Sequence, residues 1–158
     1  MEDSYEPTSE FLRSFAGDNI PLSGNEFADA NLRRLIRMTR DLDLTNRDWA
    51  TFLLAQAEVD TAAVRDALLR AATDESDDVR AEALCGLARR DPSIALPFVQ
   101  AALDADEVSA PIFEAAALCA HPSLIESLTG FTSSPGTYLG DLVARALSAC
   151  ENGEPPPE

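Results

Sequence analysis

The chain has 158 residues, 28 of them Asp or Glu against 12 basic residues that are all Arg, for a formal net charge of -16 and a pI of about 4.2. That balance argues against a general nucleic-acid binder, which needs a basic footprint, and no apolar run approaches the ~20 residues of a membrane span. Three cysteines, an odd number, do not make a disulfide framework, and the acidic start MEDSYEPTSE is no secretory signal. These features predict a cytoplasmic, Ala- and Leu-rich helical domain long enough to bury a core.

Taken in chain order, residues 1–8 are polar and read as a flexible N-terminus, with Tyr5 as a possible anchor. A single helical domain is expected over 9–150. The segment GDNIPLSG, from Gly17 to Gly24, is a connector with turn chemistry at both ends. Glu26 to Arg40 carries Ala28, Leu32, Leu35 and Ile36 at helical spacing. Further helices are predicted over Asn46–Ala57, Thr61–Thr73, Asp77–Arg90, Pro92–Leu103, Val108–Ala120, Pro122–Leu128 and Thr137–Cys150. No alternating β-branched run supports a strand. The connections are two to six residues by this reading, which favours antiparallel neighbours. The last eight residues, ENGEPPPE, hold three prolines and three acids, and 151–158 reads as a disordered acidic tail.

Self-comparison carries most of the information. Arg47, Ala50, Leu54 and Ala55 recur as Arg80, Ala83, Leu87 and Ala88, 33 residues later. Val64, Ile94 and Leu124 are spaced by 30, as are Leu68, Phe98 and Leu128. Asp91-Pro92-Ser93 and His121-Pro122-Ser123 mark matching helix starts, with Pro where its missing N–H is not needed. Acidic turns close each pair: Asp41 and Asp43; Asp74, Glu75, Asp77 and Asp78; Asp104, Asp106 and Glu107. The unit is helix, tight turn, helix, acidic turn. One such pair cannot bury its apolar face alone, whereas stacked pairs can.

The segment DDVRAEALCGLARRDPSIALPFVQAALD (77–104) resembles a HEAT repeat in the short bacterial, PBS-lyase-like form, through Asp78-Val79-Arg80 and Ala95-Leu96-Pro97. The resemblance spans about Asp41 to Leu128, strongest in the second pair. It implies an all-α, right-handed solenoid of about three stacked antiparallel helix pairs with flanking helices, presenting a surface to another protein. The absence of Lys fits a GC-rich bacterial genome. Some members of the family are bilin-lyase-like or maturation enzymes, and that is the alternative reading.

Arg47 and Arg80 occupy equivalent first-turn positions and are expected to form a structural ladder with an Asp of a neighbouring turn, Asp43, Asp77 or Asp78. The turn acids Asp41, Asp43, Asp74, Glu75, Asp77, Asp78, Asp104, Asp106 and Glu107 are the candidate docking surface for a basic protein. Helix capping and solubility are the competing explanation for the same residues. Trp49, whose repeat equivalent is Glu82, is either an interface anchor or packed on the preceding helix. Arg33, Arg37 and Arg40, with Arg34 beside them, form a basic stripe that is either solvated or partner-facing. Cys85 and Cys119 read as core fillers, and Cys150, at the edge of the tail, as the more reactive thiol, though with only Arg145 near it in sequence it is not a catalytic one. His121, the lone histidine, reads as a cap. Nothing matches an EF-hand, a phosphate loop or a nucleophile–base constellation. The expectation is therefore a monomeric, non-enzymatic module with no cofactor, metal, nucleic acid or membrane, and a basic, inhibited or neutralised protein as its partner.

Overall fold

The computed structural model describes residues 5–17, 20–131 and 136–157. Among these, all regular structure is helical. The helices are α1 (Glu10–Gly17), α2 (Glu26–Met38), α3 (Leu44–Gln56), α4 (Ala62–Ala71), α5 (Asp77–Arg90), α6 (Pro92–Leu103), α7 (Ala110–Cys119), α8 (Ile125–Thr129) and α9 (Tyr138–Asn152), with a 3-10 turn, Pro122–Leu124, ahead of α8. The chain forms two compact units, Met1–Ala83 and Leu84–Glu158, with the boundary inside α5.

The helix starts follow from local chemistry. Asn25, Asp43, Thr61, Asp91 and Thr137 each turn a side-chain oxygen onto the N–H three residues on. This satisfies one of the donors a first turn leaves open. Pro92 sits at the first position of α6, where proline lacks nothing it needs. His121 caps the 3-10 turn, its Nδ1 accepting from the Ser123 N–H at 3.2 Å.

In the first unit α2 packs on α3 and α4, α3 on α4, and α1 on α3. Leu12, Leu35, Leu54, Val64 and Leu68 are fully buried there. In the second unit α7 packs on α6 and α9, and α8 on α9, around Phe113, Val99, Leu124, Leu128 and Val143. The edge of Phe131 meets the Phe113 ring at 5.2 Å between centroids.

The 33-residue correspondence holds at the level of burial: Ala50 and Ala83, Leu54 and Leu87, and Ala55 and Ala88 are all buried pairs. The 30-residue spacing holds at its ends only. Val64, Leu68, Leu124 and Leu128 are buried, but in α6 the buried residues are Ala95, Val99 and Leu103, and Ile94 is exposed. Val64 and Leu124 lie three residues after their caps, Thr61 and His121, whereas Ala95 lies four after Asp91. One residue is 100° of helix rotation. The single-residue link between α5 and α6 therefore brings α6 in turned by that amount.

Described residues near both termini make specific contacts. Tyr5 to Ser9 lies along the start of α3. Ser9 N–H donates to Asn46 Oδ1 at 3.0 Å, and Asn46 Nδ2 donates to Thr8 Oγ1 at 2.9 Å. Thr8 Oγ1 donates to Asp43 Oδ2 at 3.3 Å, Arg13 Nε donates to the Pro7 carbonyl at 2.7 Å, and Pro7 is buried. The polar composition that suggested disorder supplies partners for Asn46, a buried amide that would otherwise lack them. At the other end α9 continues through Glu151 and Asn152, two residues past Cys150. Gly153 then ends it in the left-handed region at φ 69°, and the Glu154 N–H bonds back to the Ala149 carbonyl at 3.2 Å. Glycine takes that conformation without a Cβ penalty. Beyond it the Pro157 carbonyl accepts from Arg145 Nη2 at 3.2 Å.

Candidate functional site

The acidic turns of the two units divide into residues that build the fold and residues left open. In the first unit Asp41 and Asp74 play the same part 33 residues apart. Asp41 Oδ1 accepts the Asp43 N–H at 2.8 Å, and Asp74 Oδ1 accepts the Ser76 N–H at 2.9 Å. Each is an Asx turn, in which the carboxylate imitates a backbone carbonyl. The arginine six residues on then closes the loop: Arg47 Nη1 donates to the Asp41 carbonyl at 3.0 Å, and Arg80 Nη1 to the Asp74 carbonyl at 2.6 Å.

Arg47 also reaches the following turn. Its Nε lies 2.9 Å from Asp74 Oδ2 and its Nη2 3.2 Å from Asp74 Oδ1, a two-point contact with both side chains largely out of water. Nη2 donates the hydrogen bond, while Nε stands at ion-pair distance without making one; with both side chains shielded, each charge needs the other. The ladder partner is therefore Asp74, not Asp43, Asp77 or Asp78. Asp43 is engaged as the α3 cap, and Asp77 pairs with Arg80 within its own turn. Glu75 lies at the margin, 3.5 Å from Arg47 and 89% exposed. Asp78 is exposed and bonded to no described residue.

In the second unit Asp104 follows α6 as its C-cap and accepts from Ser127 Oγ at 3.3 Å, which in turn accepts from Gln100 Nε2 at 2.9 Å. Asp106 and Glu107 are exposed and bonded to no described residue. Of the nine acids singled out in the sequence, Glu75, Asp78, Asp106 and Glu107 remain open to solvent, while Asp41, Asp43, Asp74, Asp77 and Asp104 hold turns, caps or arginines.

Trp49 is partly buried. Its Nε1 donates to the Tyr5 carbonyl at 3.0 Å, and its ring meets Phe52 edge-on at 5.9 Å between centroids. It is a clamp for the N-terminal segment as well as a surface aromatic. Beside it the Tyr5 hydroxyl donates to Asp48 Oδ2 at 2.8 Å, a pairing the sequence did not signal because its partners are 43 residues apart. Asp48 Oδ1 is buried and meets no hydrogen-bond donor among the described residues. Burial raises the Asp48 pKa above the usual carboxylate range, the Tyr5 bond opposes this, and Asp78 adds to it. The Tyr5 phenol is pushed up to about 12, first by desolvation and then by its bond to Asp48.

Sequence reasoning missed a cleft in the first unit. It has a volume of about 380 Å³ and is open to solvent, and its lining runs from Thr39 to Leu42 and includes Arg47, Arg70, Asp74 and Glu75. Arg40 and Arg70 are exposed on it. Leu42 stands 99% exposed on its lining.

The cysteines reverse their expected order. Cys150 is buried, with Sγ 3.7 Å from the Ala116 carbonyl, and Cys119 is the one partly accessible thiol. Among the described residues no group of three His, Cys, Asp or Glu is placed to hold a metal ion. No described helix is long and apolar enough to cross a membrane.

No family model matches the chain, and no curated protein matches it in sequence. Among solved structures it is similar to the X-ray structure of YibA from Escherichia coli, with a TM-score of 0.65 and 20% identity, over 90% of this chain and 54% of that one. The chain thus spans about half the length of YibA. At this identity the likeness shows the fold, an all-helical one, and a fold does not specify an activity.

Proposed function

We propose that the chain is a HEAT-like helical-repeat module, a short right-handed solenoid of stacked helix pairs, that binds another protein and catalyses nothing itself. The recurrence of the Asp41–Arg47 loop at Asp74–Arg80, joined by the Arg47–Asp74 pair, supports the repeat reading. The likeness to a helical solved structure over most of the chain is consistent with it.

The observation that carries the binding reading is the set of turn acids the fold leaves open: Glu75 and Asp78 in the first unit, Asp106 and Glu107 in the second. Exposed carboxylates that are unpaired, or for Glu75 held only at 3.5 Å from Arg47, on a chain of charge -16, suit a basic protein. They would speed its encounter and make the complex sensitive to salt. An inhibitor or immunity-type role, in which the acidic surface neutralises a basic protein, is the concrete form of this reading.

The test uses Glu75→Gln, Asp78→Asn, Asp106→Asn and Glu107→Gln combined, beside the unaltered protein, as baits in lysate at low and moderate salt. A basic protein retained at low salt, released at moderate salt and bound at least tenfold more weakly by the variant supports the reading. The same protein held equally by both baits overturns it. Asp74 and Asp77 are kept out of the variant because their loss would disturb the turns themselves.

A further inference from the structure

Eight of the twelve arginines have a partner inside the molecule. Arg47, Arg65 and Arg80 pair with acids. Arg13, Arg90 and Arg145 donate to carbonyls. Arg34 lies over the Phe11 ring at 4.4 Å, and Arg89 is also engaged. The side chains of the remaining four, Arg33, Arg37, Arg40 and Arg70, are exposed and bonded to no described residue. In a chain with 28 acids, chance would not gather its unpaired cations in one place. Yet all four lie on α2, the turn after it, and the last turn of α4, and α2 packs on α4.

Arg33 and Arg37 stand one turn apart on one face of α2. Arg40 follows the Thr39 cap and, with Arg70, lines the open cleft of about 380 Å³. The negative ends of α2 and α4 favour cations there, which accounts for the sign of the charge. It leaves the planar guanidinium donors of all four unused, and such a fork matches a carboxylate at two points. Leu42 offers an apolar contact in the same cleft.

We propose that this surface binds an acidic peptide segment of a protein partner, its carboxylates on Arg37, Arg40 and Arg70, with Arg33 extending the track and an apolar side chain against Leu42. A nucleic-acid backbone fits less well. Asp41, Asp74 and Glu75 line the same cleft and would repel a continuous run of phosphates, whereas separate carboxylates can be placed away from them. The cleft shares Glu75 with the open acidic turns, whereas Arg33, Arg37, Arg40 and Arg70 belong to none of them.

The experiment uses a fluorescent twelve-residue peptide with four Glu or Asp residues separated by Gly and Ser and one central Leu, its Gln/Asn counterpart, and a single-stranded oligonucleotide of equal length. Each is titrated by polarisation against the full chain at low salt. Wild type is expected to bind the acidic peptide and not the neutral one. Arg40→Gln with Arg70→Gln is expected to weaken binding at least fivefold, and Arg65→Gln with Arg145→Gln, outside the cluster, to leave it within twofold. No binding of the acidic peptide, or equal binding by both double variants, overturns the proposal. Tighter binding of the oligonucleotide, lost in the Arg40/Arg70 variant, overturns the choice of occupant. Dimerisation of the wild type in sedimentation that this variant abolishes does so too, and would make a second copy of the chain the occupant.

Discussion

Arg47 joins two successive turns. One edge of its guanidinium donates to the Asp41 carbonyl of its own repeat, while Nε and Nη2 face the Asp74 carboxylate of the next, at 2.9 and 3.2 Å. Only 11% and 15% of the two side chains is exposed, so the pair is shielded and each charge needs the other. Asp74→Asn keeps an acceptor for the Ser76 N–H and removes only the charge; it should cost about 2 kcal/mol, and Asp74→Ala about 3 kcal/mol. A double-mutant cycle with Arg47→Met should show coupling of about 1–3 kcal/mol in urea unfolding. Glu75→Gln should not move the urea midpoint measurably, because an exposed carboxylate at the rim is screened by water. A cycle with no coupling would show that the pair is incidental to the stacking of the turns.

That Arg47 pairs with an acid of the next turn is legible in the sequence and which acid is not, while Arg80, expected to do the same, pairs within its own turn. Spacing of 33 identifies Arg47 and Arg80 as equivalents, because both must serve the same turn. Which carboxylate an arginine reaches depends on what the others already do: Asp43 caps α3 and Asp77 pairs with Arg80, leaving Asp74. The register of α6 is hidden for a similar reason. Ile94 and Phe98 have the right spacing and the larger side chains, but a one-residue link turns the helix and puts Ala95 and Val99 inside. Tyr5 is legible as an anchor, but its partner Asp48, 43 residues away, has no local signal. The cleft at Arg40 and Arg70 required knowing which arginines stay unpaired.

The contact between Tyr5 and Asp48 should make stability depend on pH in two windows. Burial raises the Asp48 pKa in the folded state. The site's contribution is then fully present below the unfolded carboxylate value, about 3.9, and is lost as pH rises through the folded value. Asp48→Asn, which still accepts from the Tyr5 hydroxyl, should therefore be more stable than wild type at pH 7. With partial solvent screening the gain is about 0.5–1 kcal/mol, and the difference should shrink towards pH 4 in parallel denaturant titrations. Tyr5 behaves likewise at higher pH. Its bond is present below the free-phenol value near 10 and lost as pH rises through about 12. Tyrosinate absorbance should report a late-titrating phenol that Asp48→Ala returns towards 10. Trp49 emission should shift in the same range, since its indole N–H is bound to the Tyr5 carbonyl.

Ala120 is the one described non-glycine residue in the left-handed region, at φ 46°, and it ends α7. The chain must turn there because His121 precedes Pro122 and is held extended, at φ −107° and ψ 133°. Its Cβ costs about 1–2 kcal/mol in that conformation. Ala120→Gly relieves this and gives back part through greater freedom in the unfolded chain. A net gain of about 0.5 kcal/mol is expected, seen as a rise in Tm. Ala120→Val should lose more than 1 kcal/mol, because a β-branched side chain tolerates positive φ least. A Tm lowered by Ala120→Gly would mean that the methyl, which is buried, packs better than its backbone strains.

The three thiols should react with a disulfide reagent in the order Cys119, then Cys85 and Cys150 together, and all slowly while the protein is folded. Reaction needs both access and thiolate. Cys119 has partial access, but desolvation, with Cys150 adding to it, pushes its pKa up to about 12. Against an ordinary value near 8.5 this lowers the thiolate fraction at pH 8 by roughly three orders of magnitude. Cys150 is 1% exposed and its pKa is also raised by burial. Cys85 is 1% exposed and lies 3.7 Å from Glu114 Oε2. Both should label only when their helices open, at a rate that rises with urea towards the unfolding transition. Truncation after Cys150 removes Glu151, Asn152 and the Gly153 turn that stop α9 from fraying. It should bring Cys150 ahead of Cys85, and a rate unchanged by truncation would show that the last turn of α9 does not depend on its glycine stop.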